Sequence, residues 1–290
     1  MEKNKKLITQ RISKVICFLL IFTAFLGIGS KIFIPKKNSA EYGNKNYYGN
    51  SYHGERANSI DIVVVGNSSA YKSFSPLELW NKYGYTSFVC GAPAQKIQEG
   101  YYMLENFLKE QKPKVVIYET EGIFNSYGKK IKSSYNQAKR DLIFLSNEID
   151  GINATLDVVT ANICPLLKYH NRWSSLKPED FTLEPDYSKH YVSKGYVLTN
   201  KVKPYRGNKN YMKPSDYTTP IQYTNLYYLN KMKELCDKNG AEFVLMSSPL
   251  PRAWNDERHK AVKAYAEKNN IKYLDTCLLY TSDAADDLIG

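Results

Sequence analysis

The sequence predicts a three-layer αβα domain with a mainly parallel β-sheet, preceded by an N-terminal transmembrane helix. Short, nearly continuous apolar runs alternate with segments of helical periodicity, which is typical of parallel strands buried on both faces. A run near the N-terminus that is apolar except for Lys31 has about the 20 residues that are needed to cross a bilayer.

Five strands and four helices are predicted in the folded part of the chain. The strands are expected at residues 60–65, 86–89, 114–118, 242–246 and 271–274. The helices are expected at residues 75–83, 97–110, 221–239 and 257–269. From about residue 125 to 214 the periodicity is weak, and we interpret this stretch as an insertion that lies over one end of the sheet.

The N-terminal region divides into three predicted parts: a basic cytoplasmic N-terminus at residues 1–14, a transmembrane signal anchor at 15–34, and a polar tether at 35–58. Lysine and arginine are more numerous before the span than after it, which favours a cytoplasmic N-terminus and an extracytoplasmic domain. We therefore expect a single-pass protein of the cell membrane. The alternative is a cleaved signal peptide, since Gly27 and Gly29 are small enough for a weak cleavage site.

The composition restricts the partners and cofactors. The formal net charge of +11 favours contact with polyanions, among which anionic lipids and cell-wall polymers are candidates. No zinc-finger spacing, aromatic RNA-binding signature or dense basic stripe occurs, so no nucleic-acid partner is expected. The cysteines show neither metal-ligand spacing nor a disulfide framework. We predict no metal and no other cofactor.

The C-terminal residues have an unusual origin. Cys277 to Asp287 read CLLYTSDAADD, which matches the translation of a transposon-type sequencing-adapter end. We therefore expect residues 277–290 to be an artefact, which is excluded from the predicted fold. The predicted domain spans residues 59–276, and the native sequence is legible only to about Thr276.

Polar segments follow four of the predicted strands, at residues 66–69, 90–95, 119–121 and 247–251. In open parallel sheets the ligand site lies at the carboxyl ends of the strands, so these segments are expected to converge. The turn Gly66-Asn67-Ser68-Ser69 would hold the Ser68 hydroxyl at the rim of the sheet. It lacks the second glycine of the nucleophile elbow of α/β-hydrolases. A serine that only caps a helix is the alternative interpretation.

Three stretches resemble the SGNH/GDSL hydrolase-like proteins of Gram-positive bacteria. They read VVVGNSSAYKSFSPLELWNKYGYTSFVCGAPAQ, QKPKVVIYE and PLLKYHNRWSSLKPEDF, the last being associated with membrane-anchored members, and the resemblance covers nearly all of residues 60–276. It implies a flavodoxin-like sheet with Ser68 as the nucleophile and Gly91 as an oxyanion-hole donor. The asparagine of the third block has no clean match, and Gln95 is a speculative substitute.

The resemblance also implies a general base that this chain lacks. The D-x-x-H block, which supplies an aspartate and a histidine, is expected after Thr276, where the adapter begins. His259 lies in the charged segment DERHK and is expected on the solvated surface. His170, Arg172 and Trp173 form a cluster suited to an anionic or sugar group, with packing that anchors the insertion as the alternative.

The resemblance and the anchor together predict a serine esterase or O-acyltransferase. It would act on acyl esters of a cell-envelope glycan through a Ser68 acyl-enzyme, without a cofactor. The alternative is a non-catalytic envelope protein that binds cell-wall polymer or exopolysaccharide through a degenerate domain of this type. Because a serine without a base is a poor nucleophile at neutral pH, we expect the chain as it stands to be inactive or severely impaired.

Overall fold

The computed structural model describes residues 2–34, 51–125, 166, 169–182, 193–198, 206–207 and 210–278. The chain divides into two compact units. One, the anchor unit, contains Met1–Lys37 and Leu156–Tyr187. The other, the sheet unit, contains Asn38–Thr155 and Ser188–Gly290. All of the strands described below belong to the sheet unit.

The sheet unit is built on five parallel strands in the order β2-β1-β3-β4-β5. Their bounds are β1 Ile62–Gly66, β2 Ser87–Gly91, β3 Val115–Glu119, β4 Glu242–Ser247 and β5 Lys272–Asp275. Each of the five predicted strands is present, and each ends slightly later than predicted. The parallel sheet of the predicted fold class is therefore confirmed.

Six α-helices lie in the described residues, and four of them correspond to the predicted helices. They are α1 Glu2–Phe33, α2 Ser68–Ser73, α3 Pro76–Tyr83, α4 Ile97–Glu110, α5 Tyr223–Asn239 and α6 Asp256–Lys268. Short 3-10 helices occupy Ser51–Gly54, Thr120–Phe124, His170–Ser175 and Pro178–Phe181. Helix α2 was not among the predicted helices, and its first residues were expected to form a turn. A segment this short shows no helical periodicity.

Helix ends follow local sequence signals. Ser75 caps the first turn of α3, where its hydroxyl accepts a hydrogen bond from the Glu78 N–H and Pro76 fills the first helical position. Asn255 caps α6 in the same way, accepting from the Arg258 N–H at 3.0 Å. Helix α5 ends at Gly240, which adopts a left-handed conformation with φ of 69°.

Both faces of the sheet are buried, which gives the three-layer arrangement. Side chains of a strand point alternately to opposite faces, so Val63 and Val65 share one face and Val64 occupies the other. All three are fully buried. Val63 and Val65 pack into the main core with residues of α4, α5 and α6, whereas Val64 packs with Ala70 and Tyr71 of α2.

The packed sheet unit begins before the predicted boundary at residue 59. Tyr52, in the predicted tether, is 1% exposed, and its ring contacts Phe107 with 4.9 Å between centroids. The neighbouring His53 hydrogen-bonds through Nδ1 to Glu110 at 2.9 Å. Burial of the apolar Tyr52 ring removes it from water and stabilises the folded state. Residues 35–50 of the predicted tether lie outside the described residues.

Part of the predicted insertion covers the open edge of β2. The Val89 N–H donates to the Lys194 carbonyl at 2.9 Å, and the Val197 N–H donates to the Tyr71 carbonyl at 2.8 Å. A Cβ added at Gly195 would lie 2.1 Å from the Val89 carbonyl oxygen. The unpaired backbone groups of this edge are thus partly satisfied. Residues 166 and 169–182 belong instead to the anchor unit, and the rest of the insertion, apart from 206–207 and 210–214, lies outside the described residues.

The anchor unit contains one helix that is long and apolar enough to cross a membrane. Within α1, the candidate span Ile8–Phe33 has 26 residues and contains an 18-residue window with a mean hydropathy of 2.2. This finding supports membrane anchoring. The direction of insertion and the choice between a signal anchor and a cleaved signal peptide stay predictions.

Gly195→Ala should destabilise the sheet unit strongly. The new methyl group would collide with the Val89 backbone, and Gly195 also has a positive φ of 86°. We expect a loss of about 3 kcal/mol in the free energy of unfolding, combining left-handed strain with a steric clash. Thermal unfolding of the detergent-solubilised chain, followed by circular dichroism, measures it.

Gly240→Ala is the matched control for that substitution. Gly240 has a similar φ of 69°, but nothing lies within 4 Å of an added Cβ. It should therefore lose only the strain contribution of about 1 kcal/mol. Equal losses in the two variants would show that the edge contact at Val89 is not tight.

Candidate active site

The polar strand ends converge where the topology predicts a ligand site. In the order β2-β1-β3-β4-β5, β2 lies on one side of β1, and the chain then crosses to β3 on the other side. This change of direction opens a crevice between the carboxyl ends of β1 and β3. Ser68 lies just beyond the end of β1, and Glu121 lies just beyond the end of β3. The predicted nucleophile is therefore at the switch point of the sheet.

The turn that carries Ser68 is tightly packed against β3 and α2. A Cβ at Gly66 would lie 2.7 Å from the Glu119 Cβ and 2.9 Å from the Ala70 Cβ, so a larger residue does not fit without displacing β3 or α2. Asn67 and Ser69 on either side are buried, while Ser68 itself is only partly buried. Among the described residues, no hydrogen-bond partner of the Ser68 hydroxyl is found.

Glu121 holds both neighbours of Ser68. Its Oε2 accepts one hydrogen bond from Asn67 Nδ2 at 2.9 Å and another from the Ser69 hydroxyl at 2.5 Å. Asn67 in turn accepts from the Ser69 N–H at 2.8 Å, which caps α2. Glu121 thereby ties the turn that contains Ser68 to the segment after β3. It is a positioning residue, and in the sequence it was visible only as part of a polar strand end.

Glu119 is a buried carboxyl group directly beneath this turn. It is 1% exposed, and its oxygens accept hydrogen bonds from the Glu121 N–H at 3.2 Å and the Ser248 N–H at 3.4 Å. Burial, assisted by the nearby charge of Glu121, raises the pKa of Glu119 to about 8. The neutral form of Glu119 is therefore favoured at pH 7.

Gly91 lies beside the same turn. It is in register with Gly66 across the β1–β2 pair, and an added Cβ would lie 3.0 Å from the Gly66 carbonyl oxygen and 3.4 Å from that of Asn67. The structure thus brings Gly91 and the Ser68 turn together. Its role as an oxyanion-hole donor stays a prediction.

Gln95 is engaged within its own loop. Its Oε1 accepts from the Ala92 N–H at 3.0 Å, and its Nε2 lies 3.7 Å from the Met103 sulfur, with 2% of the residue exposed. The amide therefore holds the loop after β2, and these contacts give no support to the predicted oxyanion role. Gln98, one turn further on, is fully buried, and its amide atoms have no hydrogen-bond partner among the described residues.

A row of hydroxyl groups crosses the ends of β3, β4 and β5. Thr120 Oγ1 and Ser247 Oγ are 2.6 Å apart, and Ser247 Oγ is 2.8 Å from the Tyr273 hydroxyl. Tyr273 donates to Asp275 at 3.0 Å. The carboxyl edge of the sheet is therefore polar as far as its last strand, although the local sequence pattern did not indicate these contacts.

His259 ends this row, and the prediction that it lies on the solvated surface is wrong. Its Nδ1 is 2.5 Å from Asp275 Oδ2, and its side chain is only 14% exposed. The reason is that the end of β5 meets the first turn of α6. Burial tends to raise the pKa of Asp275, but the hydrogen bonds it accepts, from His259 first, hold this pKa below its usual value.

His259 and Ser68 lie at different places along the carboxyl edge of the sheet. The strands β1 and β5 are separated by β3 and β4, which corresponds to about 14 Å at the usual interstrand spacing. The general base implied by the resemblance was expected beyond Thr276, and this expectation is unchanged.

The cluster of His170, Arg172 and Trp173 belongs to the anchor unit, whereas Ser68 belongs to the sheet unit. The Arg172 guanidinium is paired with Asp180 at 2.8 Å and also donates to the Phe33 carbonyl of α1 at 2.5 Å. Trp173 is 74% exposed, and His170 is exposed as well. The contacts of Arg172 favour the anchoring alternative, and a role in substrate binding stays a prediction.

Comparison with known proteins leaves the family open. No protein-family model matches the chain, and no curated protein matches it. The likeness to the SGNH/GDSL hydrolase-like proteins stays a prediction based on the quoted motifs. In the described parts of the chain, no group of three or more histidine, cysteine, aspartate or glutamate side chains is arranged to hold a metal ion.

Glu119→Gln should change how stability depends on pH. The folded-state pKa of Glu119, about 8, lies above the usual value of 4.5. Between pH 4.5 and pH 8 the folded protein therefore binds more protons than the unfolded chain does. The resulting stability is complete below pH 4.5 and is lost as the pH rises towards 8. The slope contributed by one such group is at most about 1.4 kcal/mol per pH unit.

Thermal unfolding of the solubilised chain between pH 5 and pH 8 tests this expectation. Glu119→Gln should flatten the decline, whereas Glu242→Gln, at a glutamate paired with Lys272 on the surface, should follow the wild type. Parallel curves for wild type and Glu119→Gln would contradict a raised pKa at Glu119.

Asp275→Asn should destabilise the sheet unit by about 2 kcal/mol, because it weakens several buried hydrogen bonds to a charged acceptor. Asp237→Asn is the matched change at an exposed aspartate, whose partner is Lys233 one helical turn away. It should cost less than about 0.5 kcal/mol. Urea unfolding of the solubilised variants measures both losses, and equal losses would argue against a structural role for the His259–Asp275 pair.

Proposed function

We propose that the protein is a membrane-anchored serine enzyme that cleaves or transfers acyl esters of a cell-envelope glycan through an acyl-enzyme at Ser68. The single observation that carries this proposal is the position of Ser68. Its partly buried hydroxyl lies at the β1/β3 switch point, and Glu121 holds the residues on both sides of it.

In the proposed reaction, Ser68 Oγ attacks the carbonyl carbon of the ester while a base takes the hydroxyl proton. The tetrahedral intermediate collapses with release of the sugar hydroxyl, which receives that proton. Water or another sugar hydroxyl then attacks the acyl-enzyme and regenerates Ser68. Gly91 is the proposed oxyanion donor, and the Asp–His block expected downstream of Thr276 is the proposed base.

Two features of the chain support an envelope substrate. Helix α1 has the length and hydropathy of a membrane span, and the sheet unit follows it in the sequence. An anchored domain of this kind meets substrates at the membrane surface. The net charge of +11 favours contact with anionic polymers or lipids there.

A non-catalytic polymer-binding protein is the second candidate, and one observation favours it. His259, the histidine that lies at the carboxyl edge of the sheet in the described residues, is paired with Asp275 at the end of β5, and β3 and β4 lie between β5 and the strand that leads to Ser68. Sequencing the uninterrupted gene separates the two functions. An aspartate and a histidine shortly after Thr276 would support the enzyme, and their absence would support the binding protein.

Labelling with a fluorophosphonate probe tests the enzyme directly. In membranes that contain the product of the uninterrupted gene, the probe should modify Ser68. Ser68→Ala should abolish labelling and lower the hydrolysis of an aryl acetate by about a thousandfold or more. Ser73→Ala changes an exposed serine of the same helix and should retain both activities.

Mass spectrometry of the labelled peptide sharpens this test. Modification of Ser69 in place of Ser68 would contradict the assignment of the nucleophile. A folded protein that is not labelled at all, and whose hydrolysis is the same in wild type and Ser68→Ala, would overturn the proposed chemistry.

A further inference from the structure

The C-terminal end of α1 has a defined position if the helix crosses a membrane. The apolar run that begins at Val15 extends to Phe33 at the end of α1 and is about 29 Å long, which matches the hydrocarbon core of a bilayer, about 30 Å thick. The last turn of α1, from Ser30 to Phe33, therefore lies at the boundary between hydrocarbon and headgroups. The last carbonyl groups of a helix have no partner within it, and leaving them unpaired at this depth is unfavourable.

A distant segment of the chain is attached to this last turn. Arg172 donates to the Phe33 carbonyl at 2.5 Å, and the Leu166 N–H donates to the Ser30 hydroxyl at 3.2 Å. A Cβ at Gly29 would lie 3.1 Å from a Leu166 methyl group, so the small residue permits the close approach. Three contacts thus fix the segment formed by Leu166 and residues 169–181 to the end of the membrane-length helix.

This segment is internally braced around Asp180. Asp180 is buried and accepts hydrogen bonds from Arg172 at 2.8 Å and from the Lys177 N–H at 2.9 Å. The Arg172–Asp180 pair joins the two short 3-10 helices, His170–Ser175 and Pro178–Phe181. The arginine therefore connects three elements: both 3-10 helices and the end of α1.

Two large aromatic side chains of the braced segment point away from its packing. Trp173 is 74% exposed and Phe181 is 60% exposed. Tryptophan is enriched at membrane–water interfaces, where its ring lies at the level of the headgroups. The exposed aromatic groups are held next to the helix turn that lies at that level.

We propose that Leu166 and residues 169–181 are a membrane-interface collar, whose Trp173 and Phe181 contact the lipid headgroup region around the end of α1. The proposal rests on the proposed membrane anchoring of α1 and does not depend on the chemistry at Ser68. The occupant is lipid, because the collar is attached to the helix turn that enters the bilayer surface.

Bromolipid quenching of tryptophan fluorescence tests the collar in the full-length protein reconstituted into phosphatidylcholine vesicles. Lipids brominated near the headgroup should quench more strongly than lipids brominated deep in the acyl chains. Trp173→Phe should remove this shallow quenching. Trp80→Phe replaces the other strongly exposed tryptophan, on α3, and should leave the Trp173 component in place.

A second pair of variants tests the attachment to α1. Gly29→Leu places a large side chain where Leu166 now packs and should reduce the Trp173 quenching. Gly27→Leu adds the same side chain to the same helix, but nothing lies within 4 Å of an added Cβ there, so quenching should be retained. Both changes increase the hydropathy of α1 equally, so a difference between them reports on the collar.

Flotation of the vesicles in a density gradient separates failure of the anchor from failure of the collar. Wild type that does not float with vesicles would overturn both the anchor and the collar. Wild type that floats, with quenching unaffected by Trp173→Phe, would overturn the collar alone. Two further results would overturn the collar: quenching of Trp173 by aqueous iodide but not by bromolipid, and protection of Trp173 from both quenchers by other parts of the protein.

Discussion

The close approach of β1 to the end of β3 is the constraint on which the sheet unit depends. At Gly66 the space that a Cβ would occupy is taken by Glu119 and Ala70, so strand, neighbouring strand and the following helix meet at one point. This contact places the Ser68 turn above a buried carboxyl group and within reach of Glu121. Val63, Val64 and Val65 are fully buried on the two faces of β1, so the turn follows a strand that is packed on both sides.

The two carboxyl groups after β3 have different roles because their environments differ. Glu119 is sealed beneath the turn, where desolvation favours its neutral form. Glu121 accepts hydrogen bonds from two side chains that flank Ser68. The nearby charge of Glu121 opposes a second charge at Glu119 and adds to the effect of burial on the Glu119 pKa. The residues beside Ser68 therefore donate their hydrogen bonds to Glu121, while Glu119 lies buried below them.

The sequence predicted the sheet well because buried parallel strands are continuous apolar runs, as in the residues that form β1 and β3. The strand-end pattern also predicted that the segments containing Ser68 and Gly91 lie close together, and their catalytic roles stay predictions that rest on the family resemblance. Contacts between distant residues were not predictable from local patterns. Asn67 and Glu121 are 54 positions apart, and Phe33 and Arg172 are 139 positions apart. The exposure of His259 was wrongly predicted because its charged sequence neighbours are typical of a solvated surface. Its partner Asp275 lies at the end of β5, 16 positions later in the chain.

The charge at the Ser68 turn also restricts the kind of base that would activate this serine. A carboxylate close to Ser68 opposes the formation of a serine alkoxide, so transfer of the proton to a second carboxylate would concentrate negative charge at the site. An imidazole becomes positively charged when it takes the proton, and the charge of Glu121 would favour that product. The electrostatics of the site therefore suit a histidine as the proton acceptor, and Glu121 would then both position the turn and stabilise the imidazolium that forms during attack.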